Sequence, residues 1–558
     1  MCPYATAKSL CAVIAQANAS TDRGRSFLAM PKPYTSVLQQ NTHFDTATLS
    51  AVLAAAIPEP ERNALLSLLP YAELSLAAYV RKHRVSSLDH KPLQDGNDMI
   101  DLVCAETEAL GFPEYARSLR RELEEHFHAL TANHHGIDSH PEFFQADLLY
   151  GLGCDHCVPV FSGGTGYMTN DAYPRGVLLS RLRNLGRPAD FVRIALLPKK
   201  PNCLMNLRPA YGKADLPIAF RPGASPAFTK LFARTLAEKH CTPKECDRIR
   251  DLLVTFFLDE QVLAQPTLRD QLSCINMHLW MRIAAKTSLP PVVCLDTAWL
   301  SRRLLVADLL DEHSLLRFHL DPSVLPDLYH ALQGVQGCWT DRESLKGTFL
   351  FWGISPKKRM VSLYPDADWT HLVPAEPVFP ALALSPSVLA EAVQEGRIVP
   401  SLLCEFLLTA MARGLRCMGG LFQYTYLPAM AKGVSEVAKK HGEQAIADRV
   451  LAESPFLAGL LPLRSKTGDA ANGLDCLDGG LSDAVLGSLA QVSVGDALCV
   501  SLPYLADFLA EGEDAPHIAS SVQDLAASAM KRMPWLEHGL CTPPKSVLEP
   551  EPENPYAE

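Results

Sequence analysis

The feature that most constrains the fold is an alternation, between Ala129 and about Pro374, of short apolar runs with longer stretches of helical periodicity. Runs such as Val158–Phe161 and Val292–Leu295 are bounded by Gly, Pro or polar residues, which is typical of strands. Leu268–Lys286 repeats its apolar residues at helical spacing. The alternation predicts a mixed α/β or α+β unit. Further runs that predict strands are Val177–Leu179, Val192–Leu197, Pro217–Phe220, Leu315–Leu320, Thr348–Ile354 and Met360–Leu363.

The regions on either side of this unit are predicted to be mainly helical. Thr46–Ile57 is rich in Ala and Leu, and Pro113 suits the first turn of a helix. Pro400–Gly414 and Phe422–Lys439 also have helical patterns. One hydrophobic core rarely extends beyond about 250–300 residues, so a chain of 558 residues should form several units. We predict a helical region at 1–130, a central α/β unit at 131–375, a helical region at 376–541 and a disordered acidic tail at 542–558.

Composition and charge narrow the class of protein. The net charge of −11 argues against a general nucleic-acid-binding surface. No apolar run reaches the roughly 18–20 residues that span a bilayer, and the run that starts at Leu10 is short for a signal peptide. The 16 cysteines are scattered through apolar stretches, as buried reduced thiols are. These features predict a soluble, multidomain, cytoplasmic protein.

The stretch from His126 to His140 holds five of the chain's 18 histidines. Histidine is the commonest metal ligand, and its charge changes near neutral pH. Pro141 fits the first position of a helix, which would put Ser139 or His140 at the N-cap. The residues before it would then form a loop that ends at a helix N-terminus, where free N–H groups favour anions.

Three interpretations of this His-rich loop, residues 133–140, stay open. In the first, His134, His135, Asp138 and His140 bind a divalent metal, zinc or iron. In the second, one histidine is a general base oriented by Asp138 or Glu142, without a metal. In the third, the histidines only cap, hydrogen-bond or face solvent, since their spacing matches no standard metal motif. The residues predicted to be catalytic are His134, His135, Asp138 and Glu142.

Cys154 and Cys157 form a CxxC pair on either side of His156. Such a pair can be a redox centre or half of a zinc site. No second CxxC exists in the chain, so two buried thiols are the favoured interpretation.

A Gly-rich segment, residues 162–166, follows the apolar run that ends at Phe161. Its backbone N–H groups can cradle a phosphate or carboxylate, although it has no nucleotide fingerprint and also suits a plain turn. Beside it begins a basic segment, Arg175 to Arg250, with 16 Lys and Arg against 5 Asp and Glu. Guanidinium groups bind such anions through paired hydrogen bonds, whereas a solvated basic face is the alternative. The residues predicted to bind substrate are Ser162, Gly163, Gly164, Thr165, Asn170, Arg175, Arg208 and Lys213.

Two further positions have competing interpretations. Asp296 directly follows an apolar run, where α/β enzymes often carry functional carboxylates, and it fits the N-cap of the next helix equally well. Arg413–Gly420 interrupts a helical region. Its glycines would let a ligand approach the backbone, but a helix-to-helix turn is the favoured interpretation.

Together these patterns predict an enzyme whose central unit binds a small phosphorylated or carboxylated molecule. The His-rich loop would supply a metal site or a general base, and the basic segment would hold the anion. Hydrolysis, group transfer and metal-dependent oxidation all fit. The alternative is a non-catalytic ligand-binding or protein-interaction protein whose histidines sense metal or pH. Two polar clusters beside Gly-rich turns favour the enzyme.

Overall fold

The computed structural model describes most of the chain between Thr46 and Met533. The described ranges are 46–59, 61–85, 92–133, 140–162, 176–181, 190–195, 255–256, 259–265, 268–338, 348–356, 360–450, 456–464, 470–477, 481–509 and 520–533. Of 176–181 and 190–195, the backbone alone is described.

Helices dominate the N-terminal part of the described chain, as predicted. Pro113 occupies the first turn of its helix, because a residue without a backbone N–H loses nothing there. The helices are α1 (Thr46–Ala56), α2 (Glu61–Leu66), α3 (Leu76–Val85), α4 (Asn97–Ala109), α5 (Pro113–Glu125) and α6 (Pro141–Gly151).

The remaining helices are spread over the rest of the chain. They are α7 (Glu260–Ala264), α8 (Leu268–Ala284), α9 (Thr297–Leu310), α10 (Leu315–His319), α11 (Leu325–Ala331), α12 (Pro386–Gln394), α13 (Leu402–Phe406), α14 (Leu421–Lys440), α15 (Gln444–Ala447), α16 (Gly473–Cys476), α17 (Asp483–Gln491), α18 (Val494–Leu509) and α19 (Ser520–Arg532). A π-helical turn, Leu407–Met411, follows α13 directly. The long helix α14 confirms the helix predicted at Phe422–Lys439.

A four-stranded parallel sheet lies at the centre of the fold. Its strands are β1 (His128–Leu130), β2 (Val158–Ser162), β5 (Val292–Asp296) and β11 (Arg416–Met418), in the spatial order β11-β1-β2-β5. Strands β1, β2 and β5 are buried along their whole length, as expected for parallel strands inside an α/β fold. Helices α4, α5, α6, α8 and α9 pack against them.

The other pairings are antiparallel. One sheet has the order β10-β6-β7-β8-β9 and is built from β6 (Phe351–Ile354), β7 (Met360–Pro365), β8 (His371–Pro374), β9 (Leu382–Ala383) and β10 (Ile398–Pro400). A separate pair joins β3 (Gly176–Arg181) to β4 (Asp190–Ala195). Parallel and antiparallel sheets among many helices confirm the predicted helix-rich α/β or α+β class.

Two predictions about secondary structure are wrong. Leu315–Leu320, predicted as a strand, forms helix α10 with Leu320 at its C-cap. A short apolar run does not distinguish helix from strand. In the structure the Ser314 hydroxyl accepts the N–H of Arg317 at 3.1 Å and so caps the helix. The segment Arg413–Gly420 contains strand β11 and is not a helix-to-helix turn. A strand of three residues is too short to show alternation in the sequence.

The parallel sheet takes strands from all three predicted regions. β1 comes from 1–130, β2 and β5 from 131–375, and β11 from 376–541. The described residues belong to one compact unit, Thr46–Glu558. This sheet therefore crosses the predicted boundaries at 130 and 375, and the division of the chain at these positions stays a prediction.

A buried ion cluster joins α4 and α9 to the segment that leads into β11. The Arg413 side chain is only 2% exposed. Its Nη2 donates to Asp308 at 2.7 Å and to Asp98 at 2.8 Å, and Gln94 also donates to Asp308. Removing one partner from such a cluster leaves an uncompensated charge inside the protein, which is strongly destabilising.

We predict that Arg413→Met lowers the free energy of unfolding by about 3–5 kcal/mol, because Asp308 loses its counter-charge. Urea unfolding measures the change. The matched control is Arg117→Met, since Arg117 forms an exposed ion pair with Glu114 and such pairs contribute about 0–1 kcal/mol. Equal losses in the two variants would contradict the structural role of the cluster.

Candidate functional site

The four parallel strands end at one edge of the sheet, and the predicted polar segments begin there. β1 ends at Leu130 and leads into the His-rich loop, and its neighbour β2 ends at Ser162 and leads into the Gly-rich segment. β5 ends at Asp296, which pairs in register with Ser162. Ligands of open parallel sheets bind outside this edge. The topology thus brings the starts of both segments to one side of the sheet.

Most residues of the predicted site lie outside the described part of the chain. They are His134, His135 and Asp138 of the His-rich loop, together with Gly163, Gly164, Thr165, Asn170, Arg175, Arg208 and Lys213. The sequence also predicts that the side chains of His134 or His135, Asp138 and His140 converge within about 5 Å, and this stays a prediction. Three predicted residues are described: His140, Glu142 and Ser162.

His140 is the N-cap of α6, as the sequence predicts. Its side chain is buried, and its Nδ1 accepts the N–H of Glu142 at 3.3 Å. A neutral imidazole that accepts at Nδ1 carries its proton on Nε2 and donates there. A metal ligand needs a lone pair instead. Coordination through Nε2 would therefore require the other tautomer and the loss of this cap, whereas donation to an anion would not.

Buried polar side chains lie at the end of β1, where the His-rich loop begins. Asn133 Nδ2 donates to Asp147 of α6 at 2.9 Å, and both residues are buried. Thr131 bonds to Gln423 in the first turn of α14 at 3.1 Å. Buried acceptors are nearly always hydrogen-bonded, but Asn133 Oδ1 has no partner within the described part of the chain. This strand end therefore has an acceptor for a donor group.

Asp296 combines a structural role with an unusual titration. Its Oδ1 accepts the N–H of Trp299 at 2.8 Å, which confirms the N-cap interpretation. The residue is 4% exposed. Burial raises the pKa of its carboxyl to about 7, against the lowering effects of Arg269 and of the capping N–H groups. Asp296 can therefore cap helix α9 and also gain or lose a proton near neutral pH.

A buried cation accompanies this carboxyl. Arg269 of α8 stacks on Trp299, with its guanidinium carbon 3.7 Å from the ring centroid, and its Nε donates to Asp270 at 2.9 Å. Its charge lowers the pKa of Asp296. Sequence reasoning missed Arg269. Helix α8 also carries Asp270, Gln271, Asn276, His278 and Arg282, so the sequence has no signal that singles out Arg269.

The CxxC pair agrees with the interpretation as buried thiols. Burial raises the pKa of both Cys154 and Cys157 well above the ordinary value for a thiol, which makes them poor nucleophiles. The carboxylate of Glu122 accepts backbone N–H groups of this turn, at 2.8 Å from His156. Among the described residues, no group of three or more His, Cys, Asp or Glu side chains could hold a metal ion.

Comparison with known proteins does not assign the site. No protein-family description, curated protein or solved structure matches this chain. Within the described residues, the helices are too short or too polar to cross a membrane. The assignment of function therefore rests on the chemistry of the sheet edge.

We predict that Asp296→Asn removes part of the pH dependence of stability. Between the ordinary carboxyl pKa of 3.8 and about 7, folded Asp296 keeps a proton that the unfolded chain loses. The free energy of unfolding therefore falls as pH rises through this window, by at most about 1.4 kcal/mol per pH unit. Asparagine keeps the cap but has no proton to lose.

Urea unfolding at several pH values from 4 to 8 tests this prediction. The variant should be nearly as stable as the wild type at pH 4 and more stable above pH 7. Glu312→Gln, at an exposed carboxylate, is the control. Parallel curves for the wild type and Asp296→Asn would show that Asp296 titrates as an ordinary carboxyl.

Proposed function

We propose that the chain is an enzyme that binds a small anionic molecule at the carboxyl edge of its parallel sheet and transfers a proton through Asp296. One observation carries the proposal. A buried carboxyl whose pKa is about 7 ends strand β5, in register with Ser162 and beside the buried cation Arg269. A strongly shifted acid at a ligand-binding edge is a functional-site candidate.

Acid–base catalysis is the chemistry that suits Asp296. A general acid or base works best when its pKa lies near the working pH, because both protonation states are then populated. The bond from Trp299 N–H to Oδ1 holds the carboxyl in one orientation. Hydrolysis and group transfer both need a proton delivered to a leaving group or removed from a nucleophile, and we assign that step to Asp296.

The anionic character of the substrate is inferred from the groups around the edge. Arg269 supplies a buried cation that cannot lose its proton. The Gly-rich segment starts directly at Ser162, and the basic segment follows it. We assign the phosphate or carboxylate of the substrate to these donors.

We predict that inorganic phosphate or sulfate raises the melting temperature by several degrees. Ligand at 100 times its Kd stabilises the folded state by about 2.7 kcal/mol. Arg269→Gln, Arg175→Ala and Arg208→Ala should each reduce this shift, whereas Arg117→Ala, on the exposed face of α5, should not. Differential scanning fluorimetry with and without the anion measures the shift for each variant separately, so a changed baseline stability cancels.

The same variants separate an enzyme from a binding protein. In a screen of phosphate and carboxylate esters, Asp296→Asn should lower kcat by about 10²–10⁴-fold while keeping the protection by phosphate. Protection without turnover of any ester would favour a non-catalytic ligand-binding protein. Absence of protection would refute the anion site itself.

The metal hypothesis for the His-rich loop has its own test. If His134, His135, Asp138 and His140 bind zinc or iron, protein purified without a His-tag should carry about one transition metal per chain. The double variant His134→Ala with His140→Ala should lose it, and His313→Ala, at an exposed position, should keep it. Protein that cannot be loaded with zinc, iron or manganese would leave metal-free acid–base chemistry as the mechanism.

A further inference from the structure

Trp299 connects the two groups on which the proposed function depends. It lies in the first turn of α9, and its backbone N–H donates to Asp296 Oδ1 at 2.8 Å. Its indole ring contacts Arg269, whose guanidinium carbon is 3.7 Å from the ring centroid. The contact joins the first turn of α8 to the first turn of α9, although strand β5 separates these helices in the chain. One residue therefore holds the proposed acid through its backbone and the proposed cation through its side chain.

Arg302 is a second cation on the same ring. Its guanidinium carbon is 4.7 Å from the centroid of the Trp299 ring. Arg302 Nε donates to the Val393 carbonyl at 2.8 Å, and its Nη2 donates to the Gln394 carbonyl. Both carbonyls belong to the last two residues of α12, where a helix leaves acceptors without an intrahelical partner. Helix α12 packs against α9, so two packed helices fix the position of Arg302.

The two guanidinium groups repel each other. Both contact one ring, so the two guanidinium carbons cannot be farther apart than the sum of their distances from its centroid. Burial and, after it, the charge of Arg269 lower the pKa of Arg302, although a guanidinium keeps its proton near neutral pH. Within the described residues, the hydrogen bonds of Arg302 go to uncharged carbonyls. An anion bound beside this pair would relieve the repulsion.

The ring also determines which donors of Arg269 can reach a ligand. A guanidinium is planar and has five N–H donors. At 3.7 Å its plane must be close to parallel with the indole ring, because a tilted group would push a nitrogen into the ring. Asp270 accepts from Nε and Nη2 at one edge of the plane. The direction of the two donors on Nη1 is then fixed for as long as the ring holds the plane.

We propose that Arg302, Trp299 and Arg269 form a cation–indole–cation stack that positions Arg269 to bind the anionic group of the substrate. Arg269 donates to the anion through Nη1, and Trp299 and Arg302 are positioning residues. The identity of the ligand rests on the proposed function, whereas the stack itself does not. Because the backbone of Trp299 holds Asp296, a change of the Trp299 side chain should affect anion binding and leave the cap in place.

Inorganic phosphate is the probe for the positioning role. Its Kd follows from the rise in melting temperature over a concentration series at pH 7 and constant ionic strength. Trp299→Leu should raise this Kd about three- to tenfold, because a free guanidinium must be ordered when the anion binds. Arg302→Gln should raise it less, since Arg302 acts through the ring. Trp299→Phe keeps an aromatic face and should restore most of the affinity.

The matched control is Arg303→Gln, at the next residue of α9. The Arg303 side chain is exposed and paired with Glu106. This variant loses the same charge as Arg302→Gln but has no contact with the ring, so it should bind phosphate like the wild type. An equal loss of affinity in the two variants would show that only net charge matters, which overturns the role of Arg302.

A double-mutant cycle in urea unfolding tests the stack without any ligand. Trp299→Leu and Arg269→Gln, singly and together, should show a coupling of about fivefold in the unfolding equilibrium constant. If Trp299→Leu has the same effect with and without Arg269, the ring and the guanidinium do not interact, and the stack is refuted.

Failure of this inference can be told apart from failure of the proposed function. A purely structural Trp299 would lower the melting temperature of the ligand-free protein and leave the Kd for phosphate unchanged, which refutes the positioning role alone. A wild type that phosphate does not protect would refute the anion site of the proposed function and the positioning role with it. If an ester is turned over, Trp299→Leu should raise KM about as much as the Kd for phosphate and change kcat little. A fall in kcat at unchanged KM would contradict the inference.

Discussion

Pairing between β1 and β11 is the constraint on which the rest of the structure depends. Thr131 N–H donates to the Met418 carbonyl at 2.8 Å, although 287 residues separate the two positions. Closing so long a loop costs entropy, which the packing of helices α4, α5, α6, α8 and α9 against the strands offsets. Once it forms, all four strand ends share one edge, and the polar side chains of distant segments meet there.

Buried carboxyl groups are compensated to different extents at the two edges of this sheet. At the edge where the strands begin, Glu122 accepts backbone N–H groups of the turn before β2 and pairs with Arg84 at 2.9 Å. These hydrogen bonds and this ion pair compensate the charge of Glu122, as expected of a residue with a structural role. At the opposite edge, Arg269 donates a hydrogen bond to Asp270, and its positive charge lowers the pKa of Asp296. Burial outweighs that compensation at Asp296, and the result is an acid whose charge changes near neutral pH.

The sequence predicted the parts of the fold that depend on local periodicity. The long helix α14, the buried strand β5 and the caps at His140 and Asp296 all have local signatures, namely helical spacing, an apolar run, and a polar residue before a helix. Strand β11 could not be predicted, because three residues carry no period and its partner lies far away in the chain.

The same limit applies to the candidate site. The sequence shows that Asp296 follows an apolar run, but it does not show which residues surround Asp296 in the folded protein. Arg269 comes from α8, which packs on β5. A shifted titration is a property of this assembled surrounding, and no spacing in the sequence reports it.

The two interpretations of Asp296, helix cap and catalytic acid, are not alternatives, because one arrangement produces both. The N–H groups of Ala298 and Trp299 stabilise the charged form of the carboxyl and lower its pKa, while burial at the strand end raises it. A more exposed cap would ionise like an ordinary aspartate, and a buried carboxyl without the cap would stay protonated. The junction between β5 and α9 balances the two effects near neutrality. The stability of the helix start and the pKa of Asp296 therefore depend on the same hydrogen bond. Ser or Asn at this position could cap the helix but could not act as an acid.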